Sequence, residues 1–272
     1  MPHLCVPEAV DVDVDIERAR ERRRLHLLHD VYAGAGRRAL VAAGLGPGMA
    51  VADFGCGLGL TTRMLADLIG PRGTVTGIDR DPVLLHQAEQ HRTANVSFVR
   101  RDVCRTGLPC ESFDLVYCRL LLLHLPHPMD CLGEMRRLLR PGGILVVEES
   151  DLTTAMSVPP TDIDDFGELF ARFAPTLGLD LSGARRLDRT VQSAGFADVH
   201  LERHQPALPP GEHRMLLKWN VEEAAAAFLD AGIVTHDALS RTLRNMQEAI
   251  DDPGVVILAP QMSIAWGRKP LP

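Results

Sequence analysis

Three glycines at alternate positions, Gly55, Gly57 and Gly59, lie between two acids, Asp53 and Asp79. Residue types at this spacing suit one kind of chemistry. The run Val51–Phe54 reads as a buried strand that ends in the glycines, whose missing side chains let a backbone turn come close to a ligand. Gly77-Ile78-Asp79-Arg80 then reads as a second strand ending on a carboxylate. A carboxylate there can chelate a ribose diol, so the two strands fit an adenosine-type cofactor. Leu60 stands where a dinucleotide fingerprint wants a third glycine. No Lys-Ser or Lys-Thr pair follows the glycines, which excludes a nucleoside-triphosphate P-loop.

Such a turn needs alternating strands and helices to hold it, and the pattern supplies them. Met49–Phe54 reads as strand, Leu60–Ile69 as helix and Thr74–Ile78 as strand. Asp81 caps a helix with Pro82 at its first position, running to about His91. Strands follow at Val96–Val99 and Phe113–Cys118, then a helix at Met129–Leu139 stopped by Pro141-Gly142-Gly143. Ile144–Val147 is apolar on both faces and so central. The alternation predicts an α/β fold: a Rossmann-like, mostly parallel seven-stranded sheet with helices on both faces.

The flanks are less regular. Glu17–Val41 reads as helix, with Gly34 and Gly36 as a break, and residues 1–14 read as loosely ordered. After Glu149, helices are expected at Asp162–Phe173, Ala184–Ala194, Val221–Ala231 and His236–Ala249, the last capped by Thr235. Ala197–Arg203 reads as a strand. Val255–Ile257 and Met262–Gly267 read as one interrupted last strand. The expected organisation is a helical segment at 1–43 and a cofactor-binding core at 44–150. Residues 151–272 would complete the sheet and add helical cap insertions, where open α/β sheets bind ligands.

Bulk properties limit the partners. Net charge is −7, so no general attraction to nucleic acid is expected, and the basic run Arg18–Arg24 alternates with acids as a solvated helix face does. Six cysteines, Cys5, Cys56, Cys104, Cys110, Cys118 and Cys131, form no CxxC pair, as expected of reduced thiols in a cytoplasmic protein. No stretch has the apolar length of a membrane helix, and Asp11–Arg24 is too charged for a signal core. No metal-ligand spacing is found. A homodimer is compatible with all of this.

Taken together, four segments resemble the class I S-adenosylmethionine-dependent methyltransferases of small-molecule type. Asp53-Phe54-Gly55-Cys56-Gly57-Leu58-Gly59 is similar to that family's acid followed by G-x-G-x-G. Gly77-Ile78-Asp79 matches its ribose-binding acid. Arg101-Asp102-Val103 stands where the family reads the adenine amino group. Phe113-Asp114-Leu115-Val116 through Leu138-Leu139-Arg140-Pro141-Gly142-Gly143 resembles its fourth strand, helix and LRPGG turn. The likeness spans roughly residues 47–150, and Trp266-Gly267-Arg268-Lys269-Pro270 looks like a family terminus. Ala52 departs from the usual bulkier aliphatic. Arg80 stands where an apolar residue often meets the adenine, and an arginine plane can stack there instead.

The resemblance implies S-adenosylmethionine as cofactor. It would be held by Asp53, Gly55, Cys56, Gly57, Gly59, Asp79, Arg80, Asp102, Val103, Cys118 and Arg119. The cofactor carboxylate would use the helix N-terminus after Gly59. Some roles stay open: Asp102 also suits a turn acid, and Arg119 an ion pair with a helix acid. Methyl transfer is an in-line displacement, and a general base is needed only for a hydroxyl or protonated-amine acceptor. His124, His127 and Glu149 are the candidates, with Glu148 as the alternate at the end of the fifth strand. Each also suits a structural role, and neighbouring Glu148 and Glu149 must point to opposite faces. His26, His29 and Tyr32 are candidates to close over the cofactor.

The expected activity is methyl transfer to a small organic acceptor at O, N or C. Three competitors are a different reaction on the same scaffold, a cofactor-binding regulatory subunit, and a nicotinamide oxidoreductase. Leu60, and the lack of a role for Asp102, count against the last.

Overall fold

The computed structural model describes residues 11–181 and 183–272, with side chains from Ala19 onward. Cys5 lies outside the described residues. The chain forms two compact units. One comprises residues 33–149, 183–203 and 263–272; the other comprises the described residues up to Tyr32 and those of 150–182 and 204–262.

Chain order begins with α1 (Asp11–Ala43), β1 (Ala50–Phe54), α2 (Leu60–Ile69), β2 (Thr74–Asp79), α3 (Pro82–Gln90) and β3 (Val96–Arg100). It continues with β4 (Phe113–Arg119), α4 (Pro128–Leu138), β5 (Leu139–Asp151), β6 (Met156–Val158) and α5 (Asp165–Phe173). The last elements are α6 (Leu187–Ser193), β7 (Ala197–His204), α7 (Met215–Asp230), α8 (His236–Asp251), β8 (Val256–Leu258) and β9 (Gln261–Arg268).

The first unit is a seven-stranded sheet in the order β3-β2-β1-β4-β5-β9-β7. β2–β3, β1–β2, β1–β4 and β4–β5 all pair in parallel, as the alternating pattern predicts. β5 is buried along most of its length and lies inside the sheet, whereas β7, at the edge, is largely exposed. One face carries Ala52, Phe54, Val116, Cys118, Leu145 and Val147 against Cys131, Leu132, Met135 and Leu138 of α4 and Leu187 and Val191 of α6. Period-two alternation puts Val51, Asp53, Leu115, Tyr117 and Glu148 on the opposite face. α2 reaches that face through the Thr62–Asp53 bond, and the end of α1 through Gly36.

Asp81 caps α3 as expected, its side chain accepting from the Val83 and Leu84 N–H groups, with Pro82 beginning the helix. The helix before Pro141-Gly142-Gly143 ends at Leu138, and the three residues lie inside β5 instead of forming a separate stop.

The second unit holds α5, α7 and α8, and edge contacts between aromatic rings join α5 to α7. Phe228 of α7 sits 5.2 Å from Phe170 and 5.1 Å from Phe173 of α5, both near perpendicular. Thr235 caps α8 through the Ala238 N–H.

Several expectations are corrected here. Residues 11–14 are helical, and α1 runs unbroken through Gly34 and Gly36, because an interior glycine costs a helix only about 1 kcal/mol. Val256–Leu258 and Gln261–Arg268 are not one interrupted strand. β8 pairs antiparallel with β6 in a separate two-stranded sheet, and β9 joins the main one.

Candidate active site

The carboxyl ends of β1, β2, β4 and β5 gather most of the residues singled out from sequence. After β1 the backbone turns through Gly55 (φ 69°), Gly57 (φ 49°) and Gly59 (φ 68°), all left-handed. Gly59 is also hemmed in: a Cβ there would stand 2.7 Å from the Phe98 ring of β3. α2 begins at once at Leu60, so its free N–H groups face the turn.

Two acids brace this turn. Asp79, at the end of β2, accepts the Gly57 N–H through Oδ2 at 2.8 Å and the Asp81 N–H through Oδ1 at 2.9 Å. Asp53, buried at the end of β1, accepts the Thr62 hydroxyl of α2 at 2.6 Å. Burial raises the Asp53 carboxyl to about 7, against the pull of the Thr62 bond and the Arg119 charge. Cys56 is buried within the turn, its N–H bonded to the Ile78 carbonyl.

The adenine-side candidates lie beyond β3. Arg80 is exposed, and its carbonyl accepts from Arg100 Nε. Asp102 is exposed and closes a tight turn by accepting the Cys104 N–H at 2.8 Å. Half-buried Val103 accepts the Cys131 thiol on its carbonyl. Glu134 of α4 holds this loop by accepting the Thr106 N–H at 2.9 Å and the Thr106 hydroxyl. It also pairs with Arg137 at 2.7 Å, and that guanidinium holds the Glu134 carboxyl down at about 2.

β4 separates two candidates that adjoin in sequence. Arg119 lies on the α1 side, paired in register with Glu148. Cys118 lies on the other face, fully buried among α4 side chains, where burial pushes its thiol up. The structure therefore does not bring Cys118 together with Arg119.

Glu148 and Glu149 do point to opposite faces, but neither faces solvent; both are buried. Glu149 accepts the backbone N–H groups of Leu121 (2.9 Å), Leu122 (2.7 Å) and Leu123 (3.4 Å). It clamps the chain leaving β4, where Leu120 is held at a left-handed φ of 54° and donates its N–H to the Glu148 carbonyl. Burial raises both carboxyls to about 7. The three amides oppose this at Glu149, and the Arg119 charge opposes it at Glu148. His124 ends a short 3₁₀ turn and is half-buried, while His127 is exposed just ahead of α4. Tyr32, in the other unit, donates its hydroxyl to the Pro260 carbonyl at 2.8 Å. Among the described residues no group of three or more His, Cys, Asp or Glu side chains is arranged to hold a metal.

Sequence reasoning missed Thr62, Tyr117, Glu134 and Gly36. Tyr117 was within reach of the period-two alternation that places it beside Arg119 and opposite Asp53.

Comparison with known proteins decides what kind of domain this is. Residues 52–147 match the family model described as "Methyltransferase domain". The chain carries a class I S-adenosylmethionine-dependent methyltransferase domain. Malonyl-[acyl-carrier protein] O-methyltransferase of Paenibacillus sp. (strain JDR-2) is 26% identical over 56% of this chain and 57% of its own. Demethylmenaquinone methyltransferase of Staphylococcus aureus is 29% identical over 61% of this chain and 75% of its own. Phosphoethanolamine N-methyltransferase 2 of Haemonchus contortus shares the fold, at TM-score 0.55 and 18% identity, over 92% of this chain and 52% of the other. The chain spans about half the length of several curated relatives, 57%, 44% and 42% in three cases. Among the described residues of this methyltransferase fold, no helix is long and apolar enough to cross a membrane.

Proposed function

We propose that this protein transfers a methyl group from S-adenosylmethionine to a small organic acceptor at O, N or C. The observation that carries the reading is the bond from Gly57 N–H to Asp79 Oδ2, which ties a ribose-chelating acid to a glycine turn at the mouth of α2. The residue set fits the cofactor: bare backbone at Gly55, Gly57 and Gly59, an acid at the end of β2, and no lysine where a phosphate would require one. When bound, S-adenosylmethionine supplies a methyl group activated by its sulfonium.

The chain's own residues would divide the remaining work. Asp79 takes the ribose hydroxyls, and Asp102 with Val103 edges the adenine. Arg119 lies at the methionyl end. Asp53 braces α2 through Thr62, and Glu149 shapes the segment that carries His124 and His127. Of the proposed bases, His124 and His127 carry imidazole rings that can accept a proton. Glu149 is better suited to positioning, since its oxygens already accept backbone N–H groups.

A small acceptor is favoured over nucleic acid by the net charge of −7. Demethylmenaquinone, in the name of one relative, is such an acceptor. The same reading takes the protein as cytoplasmic. Its test is turnover: wild-type protein with labelled S-adenosylmethionine and a panel of phenols, amines and activated carbon acids. Acceptor-dependent formation of S-adenosylhomocysteine is expected. Tight cofactor binding with no turnover on any acceptor class would favour a non-methylating or regulatory role.

A further inference from the structure

Gly77 has no backbone reason to be glycine. It lies within β2, and its φ is not left-handed, so other residues could adopt it. Glycine inside a strand weakens the strand and often marks a place where another group comes close.

The group that comes close is the ring of Phe98. Phe98 pairs with Gly77 in the parallel register of β2 and β3, and its ring fills the space a Gly77 side chain would take. A Cβ at Gly77 would stand 2.6 Å from ring atom Cδ1, 2.7 Å from Cε1 and 3.0 Å from the Cys56 sulfur. The far end of the same ring meets Gly59. A Cβ there would stand 2.7 Å from Cζ and 3.0 Å from Cε1, with the Ala88 Cβ of α3 at 3.2 Å. One half-buried ring therefore reaches from the bare patch on β2 to the bare residue that opens α2. Gly59 needs glycine twice, for its φ of 68° and for the ring, whereas Gly77 needs it for contacts alone.

This packing adds to the hydrogen bonds that hold the turn. Gly55 and Cys56 donate their N–H groups to the Ile78 carbonyl, and Gly57 donates to Asp79, so the start of the turn is fastened to β2. Its other end, Gly59, rests against the ring. A close-packed ring transmits its position to what leans on it. Free N–H groups begin at that point, in the first turn of α2.

We propose that Phe98 is a positioning residue for the cofactor: its ring sets how far Gly59 and the first N–H groups of α2 stand from the sheet, and so how well they meet the cofactor's carboxylate. The inference rests on the function proposed above. It assigns the glycine of Gly77-Ile78-Asp79 a part in the same device, as the recess that lets the ring reach Gly59.

The test crosses a ligand change with a protein change, by calorimetry on the full chain. The ligands are S-adenosylhomocysteine and 5′-methylthioadenosine, which keeps the adenosine and lacks the amino-acid end. Wild type should favour S-adenosylhomocysteine at least about tenfold, as charge-assisted contacts to that end imply. Phe98→Leu stays apolar but cannot span both glycines, and the preference should fall at least about threefold, within the range of a helix-terminus contact. An unchanged preference overturns the inference, because a merely structural Phe98 would affect both ligands alike. Should Phe98→Leu fail to fold, Gly77→Ala is read in the same way, since its methyl group displaces the ring. The two substitutions should also compensate: adding Phe98→Leu to Gly77→Ala should raise the unfolding midpoint. A further drop as large as Phe98→Leu causes in wild type would show that the ring does not occupy the Gly77 recess. Wild type that binds neither ligand removes the proposed function and this inference together. Wild type that binds both ligands equally removes the inference alone.

Discussion

Asp79 Oδ2 accepts the Gly57 N–H at 2.8 Å, so the acid that ends β2 is fastened to the turn that ends β1. One carboxylate thus both shapes the glycine loop and presents lone pairs at its mouth. Asp79→Ala removes both contributions and should weaken S-adenosylhomocysteine binding at least about tenfold by calorimetry. Unchanged affinity would take Asp79 out of the site.

Glu149 makes a different kind of prediction, because its oxygens accept the N–H groups of Leu121, Leu122 and Leu123. Glu149→Ala should lower unfolding stability by roughly 2–4 kcal/mol in urea, since buried amides lose a shared acceptor. Glu149→Gln keeps an acceptor oxygen and should leave the shape of the pH profile of kcat unchanged. Loss of one limb of that profile at full stability would instead make Glu149 the base.

Glu134 acts at a distance from the chemistry. It ties Thr106, and hence the loop carrying Asp102 and Val103, to α4 and Arg137. Glu134→Gln should cost roughly 1.5–3 kcal/mol at neutral pH. Its folded pKa of about 2 lies below the usual 4.5, so its contribution is present above pH 4.5 and lost as pH falls through about 2. The stability gap between wild type and Glu134→Gln should therefore close on acidification, and a gap independent of pH would contradict the pairing.

The buried acids work in the opposite sense. Asp53, Glu148 and Glu149 are raised from 3.8 or 4.5 to about 7, chiefly by burial. Between those values the folded state holds more protons than the unfolded one, so these groups lower stability as pH rises from about 4.5 to about 7. Glu148→Gln removes one of them. Its unfolding midpoint should gain on that of wild type across that interval and stop gaining above it. A constant difference from pH 4.5 to 8 would show that Glu148 titrates as an ordinary carboxylate.

How much of this could be read in the sequence depends on what each residue type reports. Gly55, Gly57 and Gly59 announce a backbone that other residues resist, and Asp81-Pro82 announces a helix start, so the first strands and helices were legible. Gly36 was not. Its lack of a side chain looks the same whether a helix breaks there or a carboxylate from β5 crowds it. Glu148 and Glu149 could be assigned to opposite faces by alternation, yet only tertiary contacts reveal that one clamps backbone amides and the other is buried against α1. β6 and β8 are too short to express a period, and their pairing is long-range.

The central claim is that the glycine turn and Asp79 hold S-adenosylmethionine and not a dinucleotide. Calorimetric titration of the full chain with S-adenosylhomocysteine and, separately, with NAD tests it most directly. The account predicts saturable one-to-one binding of S-adenosylhomocysteine and no measurable heat with NAD. Tight binding of NAD with no response to S-adenosylhomocysteine would contradict it.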